Sequence, residues 1–105
     1  MAEVRRIADI VEYQKGSVVS STLLKKQTGT VTVFAFDQGQ GLSEHEAPFD
    51  ALVQIVEGEA EIRIGGEPKL LKQGDSIVMP ANVPHALNAP VPFKMLLTLI
   101  KSGDD

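Results

Sequence analysis

Only two histidines occur among the 105 residues, His45 and His85, and the chain has no cysteine. Those two side chains are therefore the first candidates for chemistry. An imidazole titrates near pH 6.5, so at neutral pH it can accept a proton, donate one, or hold a metal ion through a ring nitrogen. His45 lies within Glu44-His45-Glu46, a string that looks metal-like, although charged residues ahead of a strand usually form a solvated rim. The lack of cysteine excludes disulfides, zinc–thiolate centres and cysteine nucleophiles. The chain also contains no Ser-His-Asp arrangement, phosphate loop or glycine fingerprint for a dinucleotide. What remains is imidazole chemistry: acid–base transfer, a hydrogen-bonded ligand, or a nitrogen-held metal.

The elements that must position these rings read as strands. Ser17 to Lys26 forms one, closed by Gln27-Thr28-Gly29, and Thr30 to Phe36 alternates with the period of two that marks a half-buried strand. Asp37 to Gly41 breaks the chain with two glycines. Asp50 to Glu57 is a nearly continuous apolar run, which predicts a strand covered on both faces. Ala60 to Ile64 alternates cleanly and meets Glu67 to Leu71 across Gly65-Gly66, a tight hairpin turn. Ser76 to Met79, Pro84 to Asn88 and Phe93 to Ile100 complete the set, and the polar tail 101–105 is expected to fray. Before them, Ala2 to Val11 suits either a short helical turn or an edge strand. Short strands between turn residues, with almost no helix, predict one all-β domain, a sandwich or barrel.

Composition agrees with this reading. Hydrophobic residues make up 43% of the chain, but aromatics are limited to four Phe and one Tyr, so the core must rest on branched and medium-sized side chains. The net charge of -4, with scattered basic residues, argues against nucleic acid or an anionic membrane as a partner. The N-terminal residues lack the long apolar run of a signal peptide, and no stretch reaches the length of a membrane span. A cytoplasmic protein is the expectation.

Two stretches resemble the motifs of the cupin superfamily. In the first, Gly39 is followed by five residues and His45, and Gly58 closes the motif. In the second, Gly74, Pro80 and His85 stand in order, with Asn82 where the motif has its second glycine and Ala89 at the position of its final Asn. The resemblance covers residues 39–89 and implies a double-stranded β-helix, a jelly-roll barrel of two packed antiparallel sheets. It also implies a pocket at the barrel mouth around His45 and His85. Cupins typically hold a divalent metal with two His and a Glu from the first motif and a His from the second. Here the second His position is Ala47 and the Glu position is Ala51, which leaves two imidazoles as the only strong metal candidates. Asp50 and Glu46 are out of phase with the inward face of a regular strand.

The expected site therefore comprises His45, His85, Ala47, Ala51 and Phe49, with no resident cofactor. A weakly held Zn, Fe, Mn or Ni ion is the alternative. The leading functional expectation is binding of a small, largely apolar organic molecule. Its rivals are an enzyme that uses a weak metal or the two histidines as acid and base, in oxygenase or isomerase chemistry, and a plain scaffold. Outward apolar residues such as Leu52, Val56, Leu96 and Ile100 predict a homodimer, with Ile7, Ile10 and Val11 in an element that crosses to the partner.

Overall fold

The computed structural model describes residues 2–101. It contains nine strands: β1 (Val18–Lys26), β2 (Gly29–Phe36), β3 (Gly41–His45), β4 (Asp50–Glu57), β5 (Glu59–Ile64), β6 (Glu67–Lys72), β7 (Ser76–Met79), β8 (His85–Asn88) and β9 (Phe93–Ile100). They form a five-stranded sheet in the order β1-β2-β9-β4-β7 and a four-stranded sheet in the order β3-β8-β5-β6. Every pairing is antiparallel. This is the expected all-β double-stranded helix, with the two sheets packed face to face. No helix among the described residues is long and apolar enough to cross a membrane. The expected frayed tail lies, Lys101 apart, outside the described residues.

The core between the sheets follows from alternation. Ala51, Val53 and Ile55 point inward from β4, Ala60 and Ile62 from β5, and Phe93 and Met95 from β9. Phe36 stacks on Phe93 with ring centroids 4.5 Å apart, and both rings are fully buried. Burying one such ring stabilises the fold by about 1.5–3 kcal/mol. Gly58, between β4 and β5, has φ +78°, and a Cβ there would lie 2.2 Å from the carbonyl oxygen of Pro92, so the position admits only glycine.

The structure corrects two details. β4 was expected to be covered on both faces, but Asp50 and Gln54 are exposed and Leu52 and Val56 are only half-buried. One face alone is fully packed, because the outer side of the five-stranded sheet is covered over only part of its length. β3 was not anticipated. Its sequence, GLSEH, has no apolar alternation, and the strand is held by its pairing with β8.

Of the two forms expected of residues 2–11, the structure has the helical turn, a single 3₁₀ turn at Ile7–Asp9. Ile10 and Val11 pack with Tyr13 on Val33, Ala35 and Leu96 of their own five-stranded sheet. Polar contacts fasten this strap. Tyr13 donates to Glu57 at 2.6 Å, and the buried Lys94 ammonium donates to the carbonyl of Ala8 at 2.5 Å. Burial and the bond to Glu57 push the Tyr13 hydroxyl above its ordinary pKa, so it stays a donor.

Candidate functional site

His85 opens β8 and His45 closes β3, and the β3–β8 ladder pairs the two directly. Alternation on a regular strand would not bring this about. Leu42 packs toward the core, so a residue three positions later belongs on the opposite face. A bulge resolves the conflict: between Leu42 and His45, β3 advances three residues while β8 moves two, from Leu87 to His85. The extra residue rotates His45 onto the side of His85. Glu44 and Glu46 are left exposed.

The rings meet edge to face, with centroids 4.4 Å apart and an interplanar angle of 69°. Their Nε2 atoms are 3.2 Å apart, inside the 6 Å at which both could reach one bound atom. Two neutral imidazoles at this distance require one donor and one acceptor. Nδ1 of His45 lies 2.8 Å from the carbonyl oxygen of Ser43. A carbonyl can only accept, so the His45 proton sits on Nδ1 and its Nε2 is a free lone pair. A bond between the two Nε2 atoms then has His85 carry its proton on Nε2 and donate to His45. Its Nδ1 stands 3.3 Å from the Val83 carbonyl, a longer contact than that of His45, so the Val83 carbonyl and Nε2 of His45 compete for the one proton of a neutral His85. With the His85 proton on Nε2 the pair is polar, His85 the donor and His45 the acceptor.

His85 is 7% exposed, while His45 is open to solvent. Burial holds His85 below the ordinary histidine pKa of 6.5, the neighbouring His45 ring adds to that effect, and the Val83 carbonyl opposes it. The buried partner therefore favours its neutral form at neutral pH.

The other expected site residues are distributed differently. Ala47 is half-buried, and its carbonyl accepts from the Asn82 amide at 2.8 Å, which ties the segment after β3 to the turn before β8. Asn82 has φ +63°, the left-handed conformation that explains how Asn stands where the motif has glycine. Phe49 is half-buried, with the Lys101 ammonium 5.7 Å from its ring centre. Ala51 is 4% exposed and belongs to the packed core, opposite Met79 and Leu99. Asp50 is exposed and accepts from the Ala81 amide at 2.8 Å. Neither of the two best-formed cavities, of about 210 and 90 Å³, is lined by a histidine.

A resident catalytic metal rests on about three protein donors. Here two imidazole nitrogens converge, Ala47 and Ala51 offer none, Asp50 is committed elsewhere, and no group of three or more His, Asp or Glu is assembled among the described residues. The donor set does not fit a resident metal.

The fold and the paired motifs define a class, and comparison with known proteins agrees. The model of the cupin domain family matches residues 32–99, and the chain belongs to that family. It is similar to a conserved protein of unknown function from Streptococcus pyogenes, at 40% identity over 97% of this chain and 90% of that one, with a TM-score of 0.92. A cupin 2 conserved barrel domain protein from Leptotrichia buccalis is 44% identical over 90% of this chain, with a TM-score of 0.86, although the match spans 46% of that longer chain. An uncharacterized protein of Aquifex aeolicus is 25% identical over 105 residues, covering 98% of this chain and 87% of its own length.

The carbonyls of Ser43 and Val83, each two residues before its histidine, were missed by sequence reasoning. A main-chain oxygen leaves no mark in residue identity. The bulge had one trace, the odd spacing between apolar Leu42 and His45.

Proposed function

We propose that this cupin domain binds a small organic molecule without a resident metal, through one protic oxygen placed between His45 and His85. The polar sense of the 3.2 Å imidazole–imidazole bond supports this reading. A group that replaces that bond must accept from Nε2 of His85 and donate to Nε2 of His45. A hydroxyl or enol oxygen does both, whereas an ether or ketone oxygen only accepts. Ala47 in place of a ligating side chain makes the approach to the pair less polar, which suits an apolar body behind that oxygen. The same polarity supports a second reading, an enzyme in which His45 is the base and His85 the acid on a bound enol or hydroxy compound.

Phenol and anisole, equal in shape but not in their ability to donate, provide the test. In protein labelled with ¹⁵N-histidine, phenol is expected to shift both Nε2 resonances at millimolar concentration, and anisole is not. Equal responses to the two probes, or none to either, overturn the reading.

A further inference from the structure

The histidine pair stands closed. An oxygen hydrogen-bonded to both Nε2 atoms would hold them about 4.3–4.9 Å apart, and here they are 3.2 Å apart. Any group placed between the rings must first part them by more than about 1 Å. The two elements that carry the rings are not equally free to give way.

His85 is held from both sides. Strand β8 lies between β3 and β5, and His85 stands opposite Ile64, whose side chain packs against the core. The carbonyl of Pro84, just before it, accepts from the Gly65 amide at 2.8 Å. His45 is held from one side only, because β3 is the edge of its sheet and β8 is its single neighbour there. Leu42 packs against the core, and the carbonyl of Ala47 accepts from the Asn82 amide. Between these anchors Ser43, Glu44, His45 and Glu46 are all exposed. Across the bulge, Ser43 and Glu44 share one residue of β8, Ala86, so this stretch has slack that a regular strand lacks. Its side-chain fastenings among the described residues are those of His45, to Nε2 of His85 and to the carbonyl of Ser43. The second lies within the stretch and travels with it.

We propose that residues 43–46 form a gate over His85, latched by the His45–His85 contact, and that the site opens when His45 swings away on the bulge while His85 stays in place. The moving part is a short edge segment, whose opening costs far less than unfolding of the whole barrel. A group that enters takes over the bonds that the latch gives up, so one that can bond both imidazoles offsets the cost of opening and one that cannot does not. The gate deepens the binding function proposed above and rests on that reading for what passes through it. The opening itself does not.

Carbethoxylation by diethyl pyrocarbonate at neutral pH, read by peptide mass spectrometry under single-hit conditions, tests the gate without any ligand. In the wild type His45 is expected to react at least about tenfold faster than His85, because the buried ring is reached only in the open state. His45→Ala is expected to raise the His85 rate about fivefold to tenfold, the factor that one hydrogen bond sets on an opening equilibrium. Glu46→Ala, which leaves the latch intact, is expected to change it little. A second measurement needs no variant: in urea below the unfolding transition the wild-type His85 rate is expected to stay nearly flat, because a short segment exposes little surface. Equal rates at the two wild-type histidines overturn the proposal, as does a His85 rate unmoved by His45→Ala in a variant that still melts cooperatively. A His85 rate that climbs with urea as steeply as global unfolding also overturns it. Since none of these readouts contains a ligand, the gate can fail while phenol still shifts both histidines and anisole does not, and the binding reading can fail while the gate stands.

Discussion

Ala51 stands directly opposite Met79 in the β4–β7 ladder, and on its other side β9 presents Leu99. The typical cupin carboxylate position is therefore a methyl group set among apolar side chains. Restoring the carboxylate has two consequences that can be separated. Ala51→Glu alone buries an unpaired charge and is expected to destabilise the protein by about 3–5 kcal/mol. Adding Ala47→His supplies a third imidazole beside His45 and His85. The double variant is then expected to recover its melting temperature on addition of zinc chloride, while the unmutated protein shows little change. Thermal melts with and without zinc check this. If zinc fails to raise the melting temperature of the folded double variant, the assignment of Ala47 and Ala51 to the ligand positions is wrong.

The neutral state of His85 carries a pH signature. Its pKa is lowered in the folded protein by burial and by His45, so at mildly acidic pH the unfolded chain binds a proton there more readily than the folded one. Stability then increases with pH across this window: the penalty begins as pH falls through 6.5 and is complete below the lowered folded value. The wild type is expected to lose melting temperature over that window. His85→Gln keeps an N–H donor but cannot titrate, and should show a flatter profile there. Parallel profiles for the two proteins would show that His85 is not the titrating group.

The barrel and the meeting of its two histidines could be read from the sequence because turn glycines, prolines and strand alternation are residue-level signals. Gly58, Gly74, Pro80 and His85 stand where the chain must turn or pair, and the side chains themselves show it. β3 could not be read in the same way, since Gly41 to His45 owe their strand to β8 rather than to any pattern of their own. The bulge and the carbonyls of Ser43 and Val83 are main-chain features that orient the two imidazoles without changing a residue type. Ile10 and Val11 are apolar whether they cross to a partner or fold back. Within the chain they are held on their own sheet by the fastening of Tyr13 to Glu57 and Lys94 to Ala8, contacts between residues far apart in sequence.

The turn before β8 offers the last test, because it links backbone conformation to the site. Asn82 adopts φ +63°, and its amide donates to the carbonyl of Ala47 at 2.8 Å, so the turn grips the segment that follows His45. Two residues on, the carbonyl of Pro84 accepts from the amide of Gly65 at 2.8 Å, which anchors the same turn to the β5–β6 hairpin. Between these anchors lies Val83, whose carbonyl faces the ring of His85. Glycine takes a positive φ without strain, so Asn82→Gly is expected to cost no more than a few tenths of a kcal/mol. Asn82→Ala places an ordinary Cβ in the left-handed region and is expected to cost about 1–2 kcal/mol in urea unfolding. If the turn also positions His85, only the alanine variant should shift the ¹⁵N resonances of both histidines. An alanine variant as stable as the wild type, with unshifted histidines, would show that the left-handed turn does not constrain the site.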